Sequence, residues 1–133
     1  MIEVVFPATD SVLADVLSLA EGELERVGCP MKTAMQVAVC LEEIFVNIAH
    51  YAYEGAEGTA GMQLDCGEHF ITITLTDEGM AFDPLAREDP DVSLSVEERS
   101  VGGLGIYMVK KTMDEVFYER RDGKNVFTMK KYF

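Results

Sequence analysis

Apolar positions along the chain change period several times, and the changes mark out its elements. Residues 2–6 alternate weakly and predict a short edge strand, closed by Pro7. Val12, Leu13, Val16, Leu17, Ala20 and Leu24 then recur every three or four residues, which places them on one helical face. Thr9 or Asp10 is expected to cap that helix, because a side-chain oxygen there can accept from the unpaired N–H groups of the first turn. Gly28 ends it. Pro30 precedes a longer helix, about Lys32 to Tyr53, whose buried stripe is Val37, Ala38, Leu41, Ile44, Phe45, Ile48 and Ala52.

Glu54 to Gly61 is polar and glycine-rich and reads as a loop. Met62 to Cys66 and Phe70 to Thr76 are strands around a Gly67-Glu68 turn. The second puts Ile71, Ile73 and Leu75 on one side and Thr72, Thr74 and Thr76 on the other. No period persists from Ala81 to Ser100, and long irregular stretches inside a domain are usually functional, lids among them. A helix is expected from Gly105 to Asp114. A hairpin of Glu115 to Arg121 and Asn125 to Tyr132 follows, joined by the two-residue turn Asp122-Gly123. Hairpin-linked strands with helices in separate runs predict an α+β two-layer sandwich, a largely antiparallel mixed sheet with helices on one face. At 133 residues this is expected to be a single domain.

Composition narrows the partners. Eleven basic against twenty-four acidic residues give a net charge of −13, which repels phosphate backbones and disfavours nucleic acid. The late basic residues Lys110, Lys111, Arg120, Arg121, Lys124, Lys130 and Lys131 read as a solvated face. No apolar run approaches the roughly 18 residues of a membrane span, and the N-terminus lacks the features of a signal peptide. A cytoplasmic location is expected. Cys29, Cys40 and Cys66 have neither disulfide nor zinc spacing, and Cys40 reads as a small core residue. His50 and His69 have no matching ligands nearby, so neither is expected to hold a metal.

Three short motifs carry chemistry. Glu43 and Asn47, four apart, lie about 40° from each other around a helix. An amide oxygen there can ligate magnesium, and the carboxylate beside it can take a proton from an attacking hydroxyl. Glu42 points elsewhere. Taken alone, the pair reads better as the polar face of an amphipathic helix. Asp77-x-Gly79 ends a buried strand. Its carboxylate can accept from an amino group such as adenine's, and the glycine admits close approach; taken alone, the motif is weak beside an ordinary strand-end turn. Gly103-x-Gly105 enters a helix, where backbone N–H groups can hold phosphate or the glycines can simply form a hinge.

In this order, each on the element its chemistry needs, the motifs resemble the nucleotide-binding boxes of the GHKL ATPase superfamily. Across roughly residues 10–130 the chain is most similar to the anti-sigma-factor serine/threonine kinases. The resemblance rests also on Asn47-Ile-Ala-His-Tyr-Ala-Tyr53 and on the stretches around Asp77 to Pro84 and Gly103 to Glu115. It implies ATP and Mg2+ as cofactors, Glu43 as general base, Asn47 as magnesium ligand and Asp77 as adenine reader. By the same likeness Gly79 gives room to the ring, and Gly103 and Gly105 embrace the phosphates. Arg99 stands where such kinases carry a lid arginine near the γ-phosphate; from its surroundings alone it is equally a surface arginine in an acidic loop. The segment between Pro84 and Ser100 lacks the threonine run expected of such a lid. The implied partners are a sigma factor and an anti-sigma-factor antagonist protein phosphorylated on serine or threonine, and the chain itself as a homodimer. A non-catalytic ATP-dependent partner-switching module is the alternative.

Overall fold

The computed structural model describes residues 1–86 and 104–133. Most of the irregular stretch expected to act as a lid, with Arg99 and Gly103, lies outside them. The described chain runs β1 (Ile2–Pro7), a 3-10 turn (Asp10–Val12), α1 (Leu13–Arg26), α2 (Met31–Asn47) and a π turn (Ile48–Ala52). It continues through β2 (Thr59–Gly67), β3 (Phe70–Asp77), a 3-10 turn (Pro84–Ala86), α3 (Leu104–Thr112), β4 (Glu115–Arg121) and β5 (Lys124–Tyr132). The strands form one sheet in the order β1-β2-β3-β5-β4, and every pairing is antiparallel. This is the α+β sandwich the periodicity predicts.

Alternation in β3 decides the layers. Ile71, Ile73 and Leu75 face inward with Met62 and Leu64 of β2 and Phe127 and Met129 of β5. They join one apolar cluster with Val16, Ala20 and Leu24 of α1, Leu41, Ile44 and Phe45 of α2, and Ile106 and Val109 of α3. Thr72, Thr74 and Thr76 occupy the other face, where the Thr74 and Thr128 hydroxyls lie 3.4 Å apart. Cys40 is fully buried in the core, and burial pushes its thiol above the ordinary range.

Four features differ from the sequence reading, each with a physical reason. Neither Thr9 nor Asp10 caps α1: the Thr9 hydroxyl pairs with that of Ser11 at 2.8 Å, and the Asp10 carboxylate lies 2.7 Å from His50 Nε2. The long helix keeps α geometry only to Asn47, and a π turn carries it on to Ala52. Strand β2 starts at Thr59 rather than Met62, because Thr59, Ala60 and Gly61 pair with Pro7, Phe6 and Val5 of β1. The late basic residues are not all solvated: Lys131 Nζ donates to the Thr112 carbonyl at 2.8 Å and Arg120 to that of Gly79 at 2.9 Å. Two expected stops hold. Gly28, at φ +75°, ends α1, and Asp122 and Gly123, both at positive φ, form the tight turn between β4 and β5. Among the described residues no helix is long and apolar enough to cross a membrane.

Ile73 is fully buried at the centre of β3. Ile73→Ala should cost about 2–5 kcal/mol in chemical denaturation, the range for deleting a large core side chain. Thr74→Ala on the opposite face should cost less than about 1 kcal/mol. Equal losses would contradict the assignment of faces.

Candidate functional site

The inner row of β3 runs Ile71, Ile73, Leu75 and then, at the same alternation, Asp77. Its partner row on β5 runs Met129, Phe127 and then Asn125. Two apolar rows therefore end together in a polar pair, at one edge of the core. Here a cavity of about 450 Å³ opens between α2, the π turn, the end of β3 and the start of α3. Ile44, Asn47, Met80, Ile106 and Phe127 are among its walls, with Asp77 at its polar end. Its volume falls within the range of small-molecule sites, roughly 300–1,000 Å³.

Asp77 is only 5% exposed. One of its oxygens, Oδ1, accepts from the Gly79 backbone N–H and from Asn125 Nδ2, each at 2.9 Å. The other oxygen has no bond to another described residue. Asp77 is itself among the walls of the cavity, so this second oxygen is the one it can turn to a ligand there. Largely apolar walls with a carboxylate oxygen at one end suit a flat heteroaromatic ring bearing an amino group.

Gly79 is buried, and the reason is packing. A Cβ at this position would overlap the Ala52 carbonyl at the end of the π turn, which also accepts from the Met80 N–H at 2.9 Å. The glycine is thus needed to dock the strand's end against the helix. Tyr53 reinforces the same junction, its hydroxyl donating to the Thr59 carbonyl and accepting from the Glu78 N–H at 2.9 Å.

Glu43 and Asn47 share a face of α2, both partly buried, while Glu42 is exposed. Asn47 lines the cavity. The Glu43 carboxylate lies against Gly105 in the first turn of α3, so closely that a Cβ on Gly105 would overlap it. Of the predicted residues, Asn47 and Asp77 therefore meet around the cavity, Gly79 packs behind Asp77, and Glu43 and Gly105 meet beside it. Arg99 and Gly103 lie outside the described residues. Among the described residues no three acidic, histidine or cysteine side chains gather as a metal cage. Asn47 offers a single neutral oxygen, which fits a magnesium ion carried in on phosphates with its waters better than a caged metal.

The sequence reading does not single out Asn125 or Tyr118, and it takes Arg120 only as part of a solvated basic face. The signal was present for Asn125. It stands inward in a strand whose other inward residues, Phe127 and Met129, are apolar, directly across from Asp77.

Comparison with known proteins identifies the family. The histidine kinase-like ATPase domain family matches residues 6–131. A serine-protein kinase RsbW of Halalkalibacterium halodurans is 27% identical over 126 residues, covering 92% of this chain and 77% of that protein. One of Bacillus thuringiensis is 27% identical over 133 residues, covering 97% and 83%. The serine/threonine-protein kinase BtrW of Bordetella bronchiseptica is 27% identical over 94 residues, covering 70% of this chain and 66% of its own length. With a match that spans nearly its whole length, the chain belongs to the histidine kinase-like ATPase domain family.

Proposed function

We propose that this protein is an ATP-dependent serine/threonine kinase that binds a sigma factor and phosphorylates its antagonist protein. The observation that carries the nucleotide part is the open acceptor of Asp77 at the end of an apolar cavity that Asn47 also lines. The kinase part draws on relatives named as serine-protein kinases.

In this reading the Asp77 oxygen turned to the cavity accepts from the adenine amino group, and Ile44, Ile106 and Phe127 cover the ring. Asn47 is the residue that would hold Mg2+, whose charge would offset that of the phosphates. The family likeness assigns Gly103 and Gly105 to the phosphate oxygens and Arg99 to the γ-phosphate. Glu43 takes the proton of the attacking hydroxyl as the new O–P bond forms and the bond to the ADP oxygen breaks. Positioning and charge neutralisation supply most of the catalysis in such transfers.

A second reading, ATP-dependent partner switching without transfer, has one observation behind it. Glu43 packs against Gly105 and is not among the walls of the cavity.

Asp77→Asn should weaken ATP binding by about 1.5–3 kcal/mol, the worth of a hydrogen bond to a charged group. Calorimetry that finds unchanged affinity would remove Asp77 from the base site. Glu43→Gln should slow phosphoryl transfer to the antagonist by ~100- to 10,000-fold while leaving ATP affinity nearly intact. Glu42→Gln serves as control. Mass spectrometry of the antagonist decides between the readings. A wild type as inert as Glu43→Gln, with ATP still changing partner affinity, favours the switch.

A further inference from the structure

Asn125 is 7% exposed, and all four hydrogen-bonding positions of its amide are filled. Nδ2 donates to Asp77 Oδ1 at 2.9 Å and to the Met80 carbonyl at 2.8 Å. Its oxygen accepts from the Phe82 N–H at 3.2 Å and from the Tyr118 hydroxyl at 2.5 Å. An amide held at every position has one orientation. It presents a donor, never an acceptor, to Asp77.

The consequence falls on the carboxylate. With Gly79 N–H and Asn125 Nδ2 both on Oδ1, the group cannot rotate without losing two hydrogen bonds inside a buried site. Only its second oxygen is offered to the cavity. A single acceptor suits the one amino group of a 6-aminopurine. Guanine, by contrast, offers its N1–H and 2-amino donors side by side. It binds a carboxylate through both oxygens, which this arrangement forbids.

We infer that Asn125, held in turn by Tyr118, is a positioning residue that sets adenine over guanine selectivity by confining Asp77 to one exposed oxygen. The same amide fastens the Met80–Phe82 backbone to the base site, so base contact and the segment leading out of the cavity share one anchor. The inference rests on the nucleotide reading above and adds to it a second residue, from another strand, that decides which base enters.

The test compares ATP and GTP affinities by calorimetry in the wild type, Asn125→Ala and Tyr118→Phe, with circular dichroism melts to establish folding. The wild type should prefer ATP. Asn125→Ala leaves Oδ1 held by the Gly79 N–H alone and lets the carboxylate turn, so ATP should bind roughly 10- to 100-fold more weakly and GTP should lose far less. The ATP-to-GTP preference should therefore fall about tenfold or more. Tyr118→Phe removes one support of the amide, and its preference should fall by about 2- to 10-fold, the range for a neutral hydrogen bond. It carries the test alone if Asn125→Ala does not fold. Variants that weaken both nucleotides equally and keep the wild-type ratio would overturn the inference, since a merely structural asparagine would behave so. A wild type that binds ATP with no preference over GTP also overturns it, leaving the nucleotide reading intact. A wild type that binds neither overturns both.

Discussion

Asp77 places a carboxylate almost wholly out of water, at the end of an otherwise apolar row of β3. Withdrawing such a group without partners costs several kcal/mol, so its surroundings must supply donors. They do so from two directions, the chain just beyond the strand through Gly79 and the neighbouring strand through Asn125. The antiparallel register of β3 and β5 is what sets these residues opposite each other. A slip of one position would turn every inward side chain of a strand outward and take the Asn125 donor from the carboxylate.

From that constraint the rest of the site follows. The chain between Asp77 and Phe82 is fastened on both flanks. On the helix side, Ala52 accepts from Met80 N–H and Tyr53 from Glu78 N–H, and the absent side chain of Gly79 permits that approach. On the hairpin side, Arg120 donates to the Gly79 carbonyl and Asn125 binds both Met80 and Phe82. The π turn that follows α2 brings Ala52 and Tyr53 to this junction, in keeping with the tendency of such turns to sit at functional sites. Fold and site are thus built by the same contacts.

Features governed by local periodicity were legible in the sequence. The alternation of β3, the stripe of α2, the stop at Gly28 and the Asp122-Gly123 turn each depend on residues within a few positions of one another. So does the shared face of Glu43 and Asn47. What escaped depends on distant partners. Thr59 joins β2 because β1, more than fifty positions earlier, pairs with it. Asp10 fails to cap α1 because His50, forty residues on, lies within hydrogen-bond reach of its carboxylate. Gly79 suggests room for a ring from sequence alone, yet the close neighbour it accommodates is Ala52. Asn125 reads as an ordinary residue after a turn until the register sets it beside Asp77.

The central claim is that the cavity receives the adenine of ATP through the outward oxygen of Asp77. A crystal structure of the chain with a non-hydrolysable ATP analogue and magnesium tests it most directly. The adenine amino nitrogen should lie roughly 2.7–3.2 Å from Asp77 Oδ2, the span of a normal hydrogen bond, with Oδ1 still held by Gly79 and Asn125. A base bound away from Asp77, or a cavity left empty at saturating nucleotide, would contradict it.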